Sequence, residues 1–438
     1  MRMLDIYYRL FSPYFFGFTQ GHQDLTSEQV LAVERALGQG IDGQNMVREY
    51  EKKFVSFIGN GQGISFAAGR MAFYVFLKVL GVGMNDEVIL PAFTCSVMPN
   101  AVLRSGAKPV FSEIDLNTLG SSPVEIEKCI TPRTKVIVAQ HSFGIPCAIE
   151  EIAGIAKRHG IFLVEDVAIS FGSTRGSRAL GDYGDAAIFS TDHTKPLNTI
   201  LGGILYTKDA ELHKKVMTLV SDMPELSQDH QRRIYRQLLF ERKYYVPERY
   251  GKSVLYDLFK QVWNKIQSVE NPFLIADYGH DIPKVQSYPY PARMPAFLTQ
   301  VGLFEMDRWA QEKARRQALL TKYMDVLSQL RLSDLIPLAY KDEKNAIVPL
   351  RFVFLTDLAG KLKEQMRRFL DVGQIWFQRP VICCTEGEEG LGYIPGSCIN
   401  AEKASGMIIN WPCVVPERLQ DNLVGLFKRT CEIFKKGV

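Results

Sequence analysis

The 438-residue sequence has no CxxC pair among its eight cysteines (Cys95, Cys129, Cys147, Cys383, Cys384, Cys398, Cys413 and Cys431), and none shares a zinc-site spacing with histidine. In a chain this long, that scatter reads as free thiols in a reducing compartment. No run of roughly 18 or more uncharged apolar residues occurs either, so no membrane span is expected. Asp5 and Arg9 interrupt the N-terminal MRMLDIYYRLFSPYFFGF, which also lacks a small-residue cleavage site. It reads as a dimer or domain contact. A strong charge imbalance is missing too: 52 Lys+Arg stand against 48 Asp+Glu, a net +4. That is too little and too dispersed for nucleic acid, although a local pocket for an anionic small molecule stays open. There is no internal repeat and no low-complexity tract.

What is present is a 46% hydrophobic composition and a length suited to two or three domains. From about residue 26 to 220, helix and strand signals alternate. LTSEQVLAVERAL opens with a capping-box pattern at Thr26 and Gln29, and VEIEKCI with a second at Ser122 and Glu125 around Pro123. EVIL, KPVF, KVIVAQ, IFLVED, AAIF and ILY are short apolar runs without alternation, as expected of strands covered on both faces. A doubly wound α/β domain with a mostly parallel sheet follows, and such sheets bind ligands beyond the C-terminal ends of their strands. The rhythm breaks at 222–290, a basic and aromatic stretch read as a helical insertion with a solvated face. A long helix from about 296 opens a smaller C-terminal α+β domain, giving units of 1–295 and 296–438.

Three features fall at strand ends. IFLVED closes on Glu165 and Asp166, which point to opposite sides, so one carboxylate faces a ligand. Gly69 and Arg70 open a helix, where free N–H groups and an arginine suit a phosphate. FSTDHTKPLNTILGG places Lys195 between two buried strands, five residues after Ser190 and before Gly202–Gly203. Desolvation makes such an amine a better nucleophile toward a carbonyl, while a snorkelling structural lysine is the plainer alternative. Amine, carboxylate and phosphate anchor together are what pyridoxal 5'-phosphate requires.

The sequence resembles the DegT/DnrJ/EryC1/StrS family of sugar aminotransferases, fold type I enzymes that use pyridoxal phosphate. The resemblance rests on GQGIDGQNMVREYEKKFVSFIG, MNDEVILPAFTCSVMPNAVLRSGAKPVFSEIDLNT, ITPRTKVIVAQHSFGIPCAIEEIAGIAKRHGIFLVEDVAISFGS, FSTDHTKPLNTILGG and INAEKASGMIINWPC, in that order. It implies Lys195 as the Schiff-base lysine, Asp166 as partner of the pyridine nitrogen and Ser190 as a phosphate ligand. Gly69 and Arg70 would lie at the phosphate-binding helix start, with His141 near the cofactor. It further implies glutamate as amino donor, a keto sugar as acceptor, a homodimer with a shared active site and a cytoplasmic location. The chain departs from the family's pattern at Arg70, at Cys95 where an aromatic ring usually stacks on the cofactor, at Ile169 in place of glutamine, and around Pro291 and Ala292. Without a ring at 95, stacking falls to Phe93 or to nothing. Lysine at 195, where the family's dehydratase branch has histidine, favours transamination, and His193 does not substitute for it. The departures leave open a non-catalytic or regulatory protein of this fold, or a pyridoxal phosphate enzyme with another outcome such as dehydration.

Overall fold

A computed structural model describes residues 3–10, 13–15, 25–37, 43–256, 273–275, 288–384 and 387–435. Among them, a seven-stranded sheet forms the centre: β1 (Gln62–Phe66), β2 (Glu87–Pro91), β3 (Lys108–Ser112), β4 (Thr134–Gln140), β5 (Phe162–Asp166), β6 (Ala186–Ser190) and β7 (Gly203–Thr207). Their spatial order is β1-β7-β6-β5-β4-β2-β3. All neighbours run parallel except at β7, which is antiparallel to both β6 and β1.

Side-chain alternation along these strands explains why each reads as a continuous apolar run. Val88, Val136, Val138 and Val164 pack into one core with the helix Gly69–Val79. Their neighbours Ile89, Ile137, Ala139 and Leu163 pack on the other face, with the helices Pro123–Cys129 and Ile149–His159. The expected α/β architecture is the one observed. β1 is an addition, because QGISF carries too short an apolar signal to stand out.

The two expected capping boxes part ways. Thr26 forms one: its hydroxyl accepts from Gln29 N–H at 3.2 Å and the Gln29 side chain accepts from Thr26 N–H at 3.0 Å. Ser122 makes no such bond, and Glu125 instead pairs with Lys128 at 2.7 Å. With Pro123 in the first turn, one N–H that a cap would serve is already absent.

One long helix of the sequence reading is two in the structure. The helix expected to run on from 296 breaks at Arg308 into Ala296–Asp307 and Trp309–Gln329. The first belongs to the large core with Phe297, Leu298 and Val301. The second joins the small core, where Tyr323 meets Phe352 and Phe427 around the antiparallel pair Arg351–Leu355 and Ile408–Pro412. Trp309 sits at the junction, its ring 4.8 Å from that of Phe171. The packing passes from the large core to the small one between Trp309 and Leu319.

Within 222–290 the helix Gln228–Tyr244 is as expected. Residues 257–272 and 276–287 of this stretch lie outside the described residues, as do residues 38–42 at the start of GQGIDGQNMVREYEKKFVSFIG.

Candidate active site

A cavity of about 260 Å³ opens at the C-terminal ends of β4, β5 and β6, and Gly69, Arg70, Cys95, Asp166, Ser190 and Lys195 all line it. Six of the seven residues singled out in the sequence therefore meet in one place.

Lys195 belongs to a hairpin joining the antiparallel strands β6 and β7. Thr191 N–H donates to Gly202 O at 2.9 Å, Thr199 N–H to Thr191 O at 2.8 Å and His193 N–H to Ile200 O at 3.1 Å. The approach is tight enough that a Cβ on Gly202, whose φ is +148°, would lie 2.4 Å from Thr191 Oγ1. This loop carries the amine into the cavity, where Lys195 Nζ sits 4.5 Å above the Trp376 ring. The indole holds the cation by its quadrupole without engaging it in an ion pair.

The two carboxylates that end β5 divide as alternation requires. Glu165 turns away and is fully buried, accepting from the N–H groups of Gly181, Tyr183 and Gly184 at 2.8, 2.6 and 2.7 Å. Asp166 faces the cavity, with Oδ1 accepting from Ala168 N–H at 2.9 Å. Burial pushes its carboxyl above the ordinary range, against the pull of the Ala168 N–H and the Lys195 charge. A cation placed against it would lower it again.

The helix Gly69–Val79 begins at the cavity with Ala68 as N-cap and no side-chain cap. Glycine is required at its first position, since a Cβ there would come within 2.9 Å of Phe189 O and 3.3 Å of Ser190 Cβ. The Arg70 guanidinium lines the same space and donates to the Leu274 carbonyl.

His141 is the exception among the seven. Alternation at the end of β4 turns Gln140 to the cavity and leaves His141 fully buried behind it. Cys147 N–H donates to His141 Nδ1 at 3.1 Å, which fixes the neutral tautomer with Nε2–H donating to Glu165 at 3.1 Å. It supports the floor of the site and does not line it. Phe93 is buried behind the cavity as well, stacked 4.4 Å from Phe377. The aromatic rings of the cavity lining are Phe189 at the end of β6, His193, and Trp376 and Phe377 late in the chain, and Ile169 lines it too. Ala292 lies at the outer edge of β1, its carbonyl accepting from Ala67 N–H at 3.0 Å.

The insertion reaches the site through His193, which lines the cavity. Its Nδ1 lies 3.2 Å from Glu241 on the helix Gln228–Tyr244, and the Phe273 ring packs 4.4 Å away. Gln237 donates to Glu241 at 2.9 Å, and Arg242 donates to Asn198 O at 2.8 Å. Arg242 also pairs with Glu305 at 3.1 Å. This face of the helix is buried against the lysine loop, its polar groups bonding one another and the loop's carbonyls, while Arg232, Arg236 and Lys243 are exposed, as expected of a basic solvated face.

Burial alone would push the His193 imidazole down, but the Glu241 and Asp192 carboxylates outweigh it and hold the ring up to about 9. A value raised on folding contributes stability that is complete below the unfolded value of about 6.5 and is lost as pH rises through the folded one. Glu241→Gln is expected to return the His193 titration, followed by the ring C–H signals in NMR, toward the ordinary histidine range. An unchanged titration would remove Glu241 from this role.

Among the described residues no helix is long and apolar enough to cross a membrane. The sequence model of the DegT/DnrJ/EryC1/StrS aminotransferase family matches residues 23–239. The chain is 30% identical over 284 residues to the spore coat polysaccharide biosynthesis protein SpsC of Bacillus subtilis, covering 65% of this chain and 62% of that one. It is 36% identical over 176 residues to a UDP-N-acetyl-3-dehydro-alpha-D-glucosamine 3-aminotransferase of Acidithiobacillus ferrooxidans, covering 40% of this chain and 48% of that one. The matches thus span less than two thirds of these curated relatives. In structure, NtdA of Bacillus subtilis with bound cofactor PMP superposes with a TM-score of 0.67 at 20% identity, covering 93% of this chain and 83% of that one. That likeness identifies the fold as fold type I.

Proposed function

Because the chain belongs to the DegT/DnrJ/EryC1/StrS aminotransferase family, we propose that it is a pyridoxal 5'-phosphate-dependent aminotransferase. It moves an amino group from glutamate to a keto sugar, nucleotide-linked or free, in surface polysaccharide or amino-sugar synthesis, as a cytoplasmic homodimer. The observation that carries this reading is the convergence of Lys195, Asp166 and the helix start at Gly69 on one cavity.

The residues present fit the cofactor. Only glycine at 69 leaves the helix start open, and Ser190 and Arg70 stand beside it as further phosphate partners. Asp166 is a buried carboxyl raised by desolvation, the environment in which a protonated ring nitrogen is held by a short charge-assisted bond. When bound, the cofactor supplies an electron sink for breaking the donor's Cα–H bond. Lys195 Nζ would hold the cofactor and, when free, would be the base that takes and returns that proton. Trp376 and Phe377 line the cavity and would keep water from the reacting carbon. His193, held by Glu241, offers a positive group at the same cavity for an anionic substrate.

Purified protein is expected to be yellow, with a visible absorbance band that bleaches on adding glutamate and returns on adding a keto sugar, with amino sugar appearing in step. A colourless protein that fails to take up added pyridoxal phosphate, or a band indifferent to glutamate, would overturn the reading.

A further inference from the structure

The cavity holds a pair of cysteines that the aminotransferase chemistry does not use. Cys95 ends the two-residue strand Thr94–Cys95, which pairs in parallel with Val381–Ile382, Cys95 standing opposite Ile382. Thr94 N–H donates to Pro380 O at 3.0 Å and Ser96 N–H to Ile382 O at 2.9 Å, so the two segments are fixed together by backbone. Paired strands lie about 4.7–4.9 Å apart. One residue past the register partner therefore falls within the roughly 4.4–6.8 Å Cα separation that a disulfide spans.

Strand alternation alone would send the next side chain to the opposite face. Cys383 escapes this because its φ is +64°, which takes it out of the extended conformation. Both residues line the cavity. Cys383 is exposed, whereas its neighbour Cys384 is buried and its thiol is directed to Gly387 O at 2.6 Å. The geometry thus selects one partner for Cys95.

We propose that Cys95 and Cys383 are a reversible oxidation site, closed to a disulfide by exchange with a low-molecular-weight disulfide such as oxidised glutathione. The Cys383 thiol donating to Cys95 lowers the Cys95 thiol to about 7; burial opposes this, while the Val97 N–H and the Lys195 and Arg70 charges add to it. Cys95 is accordingly the attacking thiolate and Cys383 the resolving thiol. The Cys95 thiolate attacks one sulfur of the small disulfide, forming a mixed disulfide and expelling one small thiolate. The Cys383 sulfur, losing its proton to solvent, then attacks Cys95 and expels the second. Two protein thiols are oxidised and one small disulfide is reduced to two thiols. The product adds a covalent tie between the segment that carries Trp376 and Phe377 and the strand Thr94–Cys95, at the wall of the cavity.

The test uses reduced, full-length wild-type protein, incubated with oxidised glutathione, alkylated and digested. Mass spectrometry is expected to find a Cys95–Cys383 cross-linked peptide, loss of two of the eight free thiols and full recovery with dithiothreitol. Cys384→Ser should give the same cross-link, and Cys383→Ser should instead accumulate glutathione on Cys95. A Cys383–Cys384 link, a glutathione adduct at Cys95 that persists in wild type, or no loss of thiols would each overturn the proposal. None of these readouts involves the cofactor, so their failure leaves the aminotransferase reading untouched.

Discussion

Lys195→Ala is expected to lower kcat for glutamate-dependent amino transfer by about 10⁴-fold or more, since it removes both the covalent anchor and the base in one change. The protein should still fold. Lys195 Nζ takes part in a single described ring contact, over Trp376, and such a contact is worth about 0.5–1 kcal/mol at a partly exposed site. Thermal unfolding of the variant should therefore stay close to wild type while the visible band is lost. Lys195→Arg separates charge from chemistry: it keeps a cation against the indole but cannot form the covalent link. Activity within tenfold of wild type in either variant would remove Lys195 from the proposed role.

Gly203→Ala should be the most damaging single methyl group. A Cβ there would stand 2.2 Å from Gly69 N, 2.4 Å from Gly69 Cα and 2.7 Å from Ala68 C, all backbone atoms that no rotamer change can move. Gly203 is also paired on both sides, with Phe66 on β1 and Ser190 on β6. Relief requires β7 or the helix start to shift, at about 3 kcal/mol. A urea titration should show an earlier midpoint, and affinity for pyridoxal phosphate should fall because the phosphate-facing helix start moves. Gly360→Ala is the control. It lies in the helix Ala359–Met366 with open space around it, so the change should be neutral or stabilise by up to about 1 kcal/mol. If both variants unfold like wild type, the close approach of β7 to the helix is not a constraint.

Much of the site was legible because the large domain obeys a simple rule. Strands covered on both faces announce themselves as unbroken apolar runs, and the residues just beyond them are at the ligand end of the sheet. Asp166, Ser190 and Lys195 were found that way. His141, which the resemblance places near the cofactor, lies one step of alternation behind the cavity lining, which Gln140 occupies.

Trp376, Phe377 and Cys383 were invisible for a different reason. Their segment has only a single 3₁₀ turn, Val372–Gln374, and a two-residue strand, with no period to read. Its position depends on hydrogen bonds to Thr94 and Ser96, hundreds of residues earlier in the chain. The helix Gln228–Tyr244 divides its polar residues, with Arg232, Arg236 and Lys243 exposed as expected. Gln237, Glu241 and Arg242 look solvated until the lysine loop is placed against them.

The late position of the 374–383 segment sets an order of events during synthesis. Lys195 emerges from the ribosome well before the rings that cover it, and at roughly 5–20 residues per second the interval is on the order of ten to forty seconds. In that interval Phe93 has no Phe377 to stack on, and the large domain presents its amine under an open sky. The growing chain therefore presents the Lys195 loop and the start of the helix Gly69–Val79 before the segment that lines the other side of their cavity has been made.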